Sequence, residues 1–313
     1  MRQPLSQQGW RQQQWRNQLF SWGYLLALAG SLWLALALLL GSWGTWLWLG
    51  LVLGLLWLPL QPGWVLRLHR AQALHYNQAP QLYWLLEQLC QRAELASIPR
   101  LYWLPSLEPN AFTLGQGRQT AIALSEGLLR RLNSRQLQGV LAHELAHVRQ
   151  GDWRLLAWAD GISRLLRGLS LLGQLGLILA LPFWLLGQVQ ISWGGMLLLV
   201  LLPWLSTLLQ LALSRTREFS ADMEAARLSG DPEGLAQALE ALHWQPGWWQ
   251  RLLIPAKAEA GSAWLRTHPP TPERIKRLRA LLPPPSRRPL WQDLPLAWRS
   301  PYTLPLRRWP PWL

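Results

Sequence analysis

Charged side chains are scarce in this 313-residue chain: Asp, Glu, Lys and Arg make up only 15% of it, and hydrophobic residues make up 50%. A typical soluble domain carries about 25% charged residues, so part of this chain is expected to lie in a membrane. Acidic residues are the scarcer sign, and the formal net charge is +14. The basic residues are spread along the chain rather than gathered on one module, which argues against a nucleic-acid-binding protein.

Cysteine is nearly absent, since Cys90 is the single one, and this excludes an internal disulfide framework. Cys90 stands in LLEQLCQRAEL, an amphipathic pattern that predicts a core position rather than a nucleophile. A cleavable signal peptide is also not evident, because residues 1–18 are polar and the apolar run after them lacks a clear small-residue cleavage site. Residues 1–18 are therefore predicted to be a retained, disordered tail.

Two long stretches contain no charged residue at all, one between Arg16 and Arg67 and one over residues 168–214. Each contains two apolar runs near the length of about 20 residues that a bilayer crossing needs. The runs lie near residues 19–40, 46–60, 168–186 and 193–213. They predict two transmembrane hairpins. Pro182 and Pro203 leave an alternative for the second pair, namely buried helices of a soluble domain.

Arginines flank both predicted hairpins, whereas the turn inside each hairpin has none. Short loops rich in Lys and Arg stay on the cytoplasmic side of a membrane. The chain is therefore expected in the cell (inner) membrane, with both termini and the region between the hairpins in the cytoplasm.

The region between the hairpins is predicted to be a soluble lobe with a small sheet followed by a helix pair. The pattern predicts helices at residues 80–95, 126–132 and 134–150, with Asn133 and Ser134 as capping candidates, and strands at residues 100–105, 110–115 and 119–125. After the second hairpin, helices are predicted at residues 216–229 and 232–242, with Asp231 as N-cap.

Two histidines, His143 and His147, stand four residues apart in LAHELAHVRQGDW, residues 141–153, and Glu144 directly follows the first. On a helix both imidazoles can bind one metal ion, while Glu144 lies about 100° round the helix. Zinc activates water and an adjacent carboxylate can take its proton, so the pattern predicts a zinc hydrolase. Two surface histidines on an amphipathic helix are the alternative. Asp152 is predicted only to help end the helix.

A catalytic zinc needs a third protein ligand and an open fourth position. One known arrangement requires a Gly and a third His where this chain has Gln150 and Trp153, so it is excluded. The other takes a glutamate from a later helix, and TREFSAD, residues 216–222, supplies Glu218 with Asp222 four residues on. Glu218 can ligate while Asp222 accepts a hydrogen bond from a ligand histidine. A solvated carboxylate pair is the alternative.

Over roughly residues 67–281 the chain resembles the HtpX-like membrane zinc metalloproteases, a family related to the CAAX prenyl endopeptidases. The resemblance rests on PNAFTLG, LSEGLLRRLNSRQLQGVLAHELAHVRQGD, SRTREFSADMEAARLSGDPEGLAQALEAL and RTHPPTPERIKRL, which occur in the family's order. It implies an endopeptidase of protein quality control with one zinc ion (Zn2+) per subunit. Carried over residue by residue, it implies zinc ligands His143, His147 and Glu218, catalytic Glu144, and Asp222 beside a ligand.

Two further features bear on substrate binding. The HP…ER motif makes His268 the candidate donor to the oxyanion that develops on the scissile carbonyl, with Arg274 in support, and capping the following helix is the alternative role for His268. NAFTLG, residues 110–115, is the candidate sheet edge for an extended peptide, and an interior strand is the alternative. The histidines outside every matched motif are predicted to be packing or interfacial residues: His69, His75 and His243.

Together these patterns predict a mainly α, multi-pass membrane protein whose zincin-type catalytic lobe, of the glutamate-ligand class, contains a small β-sheet. The predicted parts are a polar tail (residues 1–18), transmembrane hairpin 1 (19–62), a cytoplasmic catalytic lobe with the HExxH helix (63–165), transmembrane hairpin 2 (166–214), the second half of the lobe with the third zinc ligand (215–282), and a proline-rich basic tail (283–313).

The predicted partners are protein or peptide substrates and the lipid bilayer. Two rival functions stay open. One is a dedicated processing protease of the prenyl type, although such enzymes typically have more spans than four. The other is a non-catalytic membrane scaffold, which would be expected to lack at least one of Glu144, Glu218 and Asp222.

Overall fold

The computed structural model of the protein describes residues 7–57, 62–188, 193–242 and 272–281 and residue 292. These residues divide into two compact units. The helical unit lies within Gln7–Leu60 and Arg154–Arg217. The mixed unit lies within Gln61–Trp153 and Glu218–Leu313. Predicted residues His243 and His268, and nearly all of the predicted tail at residues 283–313, lie outside the described residues.

The helical unit contains α1 (Gln7–Leu40), α2 (Ser42–Trp57) and large parts of α7 (Asp152–Leu185) and α8 (Trp193–Ser229). Only Gly41 separates α1 from α2, and its φ of 59° is a left-handed conformation that glycine adopts without strain. A Cβ on Gly44 would stand 2.0 Å from the backbone oxygen of Leu36, so glycine is what lets the two helices approach. Leu28 and Leu32 lie in the apolar core of this unit.

Among the described residues, two helices are long and apolar enough to cross a membrane by length and composition: Trp15–Ala37 within α1, and α7. Only 6% of the most apolar window of α7 is buried, so its leucines and isoleucines face outward. An exposed apolar surface of this kind is what lipid contact requires. The structure thus contains a mostly helical fold with two candidate membrane helices.

One sequence-based expectation about the long helices is wrong, and two others are met by helices longer than the hydropathy pattern indicates. Residues 7–18, expected to be a disordered tail, belong to α1. The predicted span at residues 193–213 and the predicted helix at residues 216–229 are one continuous helix, α8. Helix α7 begins at Asp152, well before the apolar run. Charged and polar residues at the ends of the long helices hid this continuity, because hydropathy changes there while helical geometry does not.

The mixed unit contains the predicted small sheet together with a short extra strand. Its strands are β1 (Gln72–Ala73), β2 (Arg100–Leu104), β3 (Ala111–Leu114) and β4 (Ala121–Ser125), in the order β1-β2-β4-β3. β2 runs parallel to β4, whereas β1 and β3 are antiparallel to their neighbours. Within the described part of the chain β3 therefore has a partner on one side only, as predicted for the NAFTLG stretch.

Side chains of the sheet alternate between two apolar clusters, as the two-residue period of a strand requires. Ala111, Ile122 and Leu124 face the main core, and Leu114 and Ala123 face a smaller cluster. The helices of this unit are α3 (Pro62–Leu68), α4 (Pro80–Ala93), α5 (Glu126–Arg131), α6 (Ser134–Gln150), the last part of α8, α9 (Pro232–Leu242) and α10 (Pro272–Arg279).

Cys90 lies on the buried face of α4 with Leu82, Leu86 and Leu89, as its amphipathic pattern predicts. Burial raises the pKa of the Cys90 thiol to about 12, and nearby Glu87 adds to this effect. A thiol that holds its proton so firmly is a poor nucleophile. The structure therefore confirms Cys90 as a core residue.

The predicted start of α6 is present as a capping box. The side chain of Asn133 accepts a hydrogen bond from the Gln136 amide at 2.9 Å, and the Gln136 side chain accepts one from the Asn133 amide at 3.0 Å. Two otherwise unsatisfied amides at the helix terminus are thereby paired. Farther along α6, a Cβ on Gly139 would stand 2.7 Å from the backbone nitrogen of Leu235, so glycine allows α9 to pack closely on this helix.

Candidate metal centre

Helix α6 places His143 and His147 on one buried face, as their spacing predicts. His143 is wholly buried and His147 is 6% exposed. Their Nε2 atoms lie 3.2 Å apart and their rings meet edge to face, with centroids 4.7 Å apart. Both Nε2 atoms therefore point toward one small volume in which a single ion could contact them.

Glu218 reaches the same volume from α8, about seventy residues later in the chain. Its Oε2 lies 3.5 Å from His143 Nε2, and its Oε1 lies 3.7 Å from His147 Nε2. One potential ligand atom from each of the three buried side chains lies within 4.8 Å of the others. Two imidazole nitrogens and a carboxylate oxygen form the donor set of a catalytic zinc site with a glutamate ligand.

Each histidine has a carboxylate at its other ring nitrogen. Asp222 Oδ1 lies 3.1 Å from His143 Nδ1, so Asp222 stands beside a candidate ligand histidine, as predicted. Asp152 Oδ2 lies 2.6 Å from His147 Nδ1, and Asp152 is 1% exposed. A carboxylate at Nδ1 favours a proton on that nitrogen, so Nε2 is the atom that the neutral imidazole offers to an ion.

The sequence pattern predicted nothing for Asp152 beyond ending the helix, and its contact with His147 was not foreseen. Gly151 ends α6 in the left-handed conformation, with φ 68°, and its amide donates to the backbone oxygens of His147 and Val148. The chain therefore turns back over the last turn of α6, and the residue after the glycine arrives beside His147. An acidic residue immediately after the helix-ending glycine was the available signal.

Arg274 on α10 is a buried cation among these carboxylates, at 1% exposure. Its Nε and Nη2 each donate to an oxygen of Asp222 at 2.7 Å, and its Nη1 lies 2.8 Å from Glu218 Oε2. Four buried carboxylates thus surround the two histidines: Glu144, Asp152, Glu218 and Asp222. Arg274 adds only one positive charge among them. Such an excess of negative charge favours a divalent cation, so the residues present fit the metal that the ligand geometry suggests.

The carboxylates shift the proton affinity of His143. Burial alone would lower the pKa of this imidazole, but Asp222 and Glu218 together outweigh burial and raise the pKa to about 9. Burial would likewise raise the pKa of Asp222, but Arg274 and then His143 outweigh it and lower that pKa. Asp222 is therefore an anion at neutral pH, next to the candidate ligand His143.

Glu144 follows His143 on α6 and is wholly buried. The hydroxyl of Thr113, on β3, donates a hydrogen bond to Glu144 Oε2 at 2.8 Å. Glu144 is not in the group of converging ligand atoms, although it is the next residue along the helix from one of them. The structure thus places Glu144 next to the candidate ligands and outside their group, as the sequence pattern predicts.

Contacts between α6 and the last part of α8 set the position of Glu218. Glu224, one and a half turns after Glu218, is buried and pairs with Arg149 of α6 and with Arg227. Farther on, Gln138 of α6 donates to the backbone oxygen of Ser229 at 2.8 Å. The Glu224 carboxylate is buried although the two arginine side chains are partly exposed, and its charge-assisted contacts, together with the Gln138 bond, help to fix the register of the two helices.

The remaining histidines within the described residues lie away from the centre's ligands. His69 and His75 are exposed, and the ring of His69 packs against Phe112 with centroids 5.4 Å apart. His268, predicted as an oxyanion donor, and His243 lie outside the described residues.

Comparison with known proteins gives a family match that covers the whole centre. The family model described as Peptidase family M48 matches residues 77–282. A protein named Protease HtpX homolog from Acaryochloris marina is 42% identical over 237 residues, covering 71% of this chain and 78% of the relative. Proteins of the same name from Methylibium petroleiphilum and Aquifex aeolicus are 35% and 32% identical, covering 70% and 68% of this chain and 81% and 76% of the relatives.

Proposed function

The chain belongs to peptidase family M48 and is an HtpX-like metalloprotease, and we propose that it is a multi-pass membrane zinc endopeptidase that cleaves membrane or misfolded proteins. The observation that supports this most directly is the convergence of His143, His147 and Glu218, with Glu144 next to the first of them. Protein quality control is the role that fits such a substrate range.

The three converging side chains are proposed as the zinc ligands, one ion per subunit, which leaves a fourth position open for water or substrate. Zinc held there would polarise the scissile carbonyl and make water a stronger nucleophile. Asp222 and Asp152 hold the two imidazoles in the tautomer that offers Nε2. Arg274 limits the negative charge at Asp222 through two hydrogen bonds and at Glu218 through an ion pair.

Glu144 is proposed as the general base. Its carboxylate accepts a proton from the attacking water and can pass the proton to the leaving amine as the peptide bond breaks. Because Glu144 is wholly buried, its carboxylate works away from bulk solvent, where proton transfer between positioned groups is most effective. His268 stays a prediction for the oxyanion donor.

The substrate is proposed to bind as an added strand on β3. Among the described residues β3 pairs with β4 alone, so the other edge of β3 offers its backbone groups to an extended peptide. Strand addition holds a peptide extended by main-chain hydrogen bonds that do not depend on its sequence. A protease for varied misfolded chains needs binding of this kind.

The membrane arrangement is also a proposal. The two candidate membrane helices and their outward apolar side chains support membrane insertion. The arginines that flank both charge-free stretches support a four-span arrangement with the metal centre and both termini in the cytoplasm. The proposed hairpins lie over residues 19–62 and 166–214.

The test compares purified parent protein with Glu144→Gln in detergent, measuring zinc per protein and cleavage of casein. Glu108→Gln, which changes an exposed loop carboxylate, serves as the matched control. We expect zinc in all three proteins and cleavage by the parent and the control only, because the amide of Gln cannot accept the proton. Equal cleavage by Glu144→Gln would refute the mechanism.

A further inference from the structure

Thr113 connects the sheet edge to the candidate base. It lies on β3, where it stands opposite Ile122 of β4, and its hydroxyl lies 2.8 Å from Glu144 Oε2 and 3.4 Å from the backbone oxygen of Glu144. Strand β3 is the proposed substrate edge. A single side chain thus joins the strand that would hold the peptide to the carboxylate that would activate water.

The direction of Thr113 follows from the alternation along β3. Ala111, two residues earlier, faces the main core toward α6, whereas Phe112 and Leu114 face the smaller cluster on the other side. Thr113 shares the face of Ala111 and so points at α6. An apolar side chain would suit this core face equally well, so the hydroxyl needs another explanation, and the buried Glu144 carboxylate in front of it supplies one.

A buried carboxylate without hydrogen bonds is costly, and the terminal torsion of a glutamate side chain has a broad energy well. A hydroxyl that donates to Oε2 stabilises the buried negative charge and also restricts rotation of the carboxylate. Small errors in the placement of a base lower reaction rates strongly, since proton transfer depends on distance and angle.

We propose that Thr113 is a positioning residue for catalysis, whose hydroxyl holds the Glu144 carboxylate in its working orientation from the strand that binds substrate. The proposal rests on the proposed function, because it assumes that Glu144 acts as the base. It adds a residue whose contribution is made through Glu144 and not by contact with the metal or the scissile bond.

Two single substitutions separate this role from simple packing. Thr113→Val keeps the shape of the side chain and removes the donor, whereas Thr113→Ser keeps the donor and removes a methyl group. If the hydroxyl positions Glu144, Thr113→Val should lower kcat roughly tenfold or more with KM changed less than about twofold. Thr113→Ser should then keep kcat within about threefold of the parent.

A purely structural role predicts the opposite order. Removal of a half-buried methyl would make Thr113→Ser the less active and less stable variant, and Thr113→Val would resemble the parent. Zinc content and thermal unfolding of the metal-free protein are measured for both variants. The proposal expects parent-like zinc binding in both, and lower thermal stability in Thr113→Val, because that substitution leaves a buried carboxylate oxygen without its donor.

The outcomes distinguish the proposed role of Glu144 from the proposed role of Thr113. If Glu144→Gln retains full cleavage, the proposed mechanism with Glu144 as base is wrong, and the role of Thr113 is wrong with it. If Glu144→Gln is inactive while Thr113→Val matches the parent in kcat and in thermal stability, the proposed function stands and the Thr113 proposal is refuted.

Discussion

Loss of the Asp152 carboxylate should weaken metal binding although Asp152 is not a proposed ligand. Asp152 Oδ2 lies 2.6 Å from His147 Nδ1, and the carboxylate is 1% exposed. Such a short, buried contact is a charge-assisted hydrogen bond, about twice as strong as a neutral one. Loss of a partner of this kind typically costs 10- to 100-fold in metal affinity, or about 1.4 to 2.7 kcal/mol.

Two substitutions of Asp152 should fall at different ends of this range of lost zinc affinity. Asp152→Asn keeps an acceptor oxygen of the same shape and removes the charge, so we expect a loss of roughly tenfold in zinc affinity. Asp152→Ala removes the acceptor altogether and frees the imidazole of His147 to rotate or change tautomer, so we expect a loss nearer 100-fold. Asn is also as good as Asp at a helix N-terminus, so Asp152→Asn should leave the start of α7 intact.

The assay is competition for zinc between the purified protein and a chelator of known affinity, at fixed pH and salt. Asp160→Asn is the matched control, because it changes the same residue type in the same helix at an exposed pair with Arg164. We expect parent-like affinity from the control and weaker affinity in the order Asn, then Ala, at position 152. Parent-like zinc affinity in Asp152→Ala would refute the role assigned to this carboxylate.

Three further predictions follow from the same structure. Glu218→Ala should sharply lower the zinc retained after dialysis, measured by metal analysis, and unchanged occupancy would show that another residue is the third ligand. The pKa of His143 is raised to about 9 and zinc binds only the neutral imidazole, so zinc affinity should rise about tenfold per pH unit up to that value. Calorimetry in two buffers of different ionisation enthalpy should show that zinc binding releases protons near neutral pH. Zinc binding without proton release would contradict the raised pKa. Gly139→Ala should destabilise the protein by about 1 to 3 kcal/mol, measured as a lower Tm, because the new Cβ would stand 2.7 Å from the backbone of Leu235. Gly63→Ala, where the Cβ would have open space, should leave the Tm unchanged. Equal changes in Tm for the two variants would contradict close packing at Gly139.

Much of the centre could be predicted because its signals are local. The i and i+4 spacing of His143 and His147 already determines that they share a helix face, and the same spacing separates Glu218 from Asp222. The caps at Asn133 and Asp231 and the strands of the small sheet follow from residue preferences over a few positions. Metal-ligand roles for these side chains stay predictions that the zinc experiments test.

The parts that could not be predicted depend on how distant segments meet. Thr113 reaches Glu144 only because β3 is placed beside α6, and Arg274 reaches Glu218 and Asp222 only because α10 packs near α8. Neither pair has a spacing rule, since the chain between the partners is irregular or long. The full lengths of α7 and of α8 were missed because hydropathy reports the environment of a segment and not whether its backbone is helical.

The sequence by itself determined the class of chemistry. Its HExxH helix and its later Glu-x-x-x-Asp pair can form a metal site of the glutamate-ligand type, and its charge-free stretches predict membrane helices, because helical periodicity and hydropathy are properties of short segments. Tertiary structure alone decided which groups orient the site: Asp152 on His147, Thr113 on Glu144, and Arg274 between Glu218 and Asp222. Hydrogen bonds and ion pairs of this kind depend on distances of about 3 Å between side chains, and only the folded chain sets those distances.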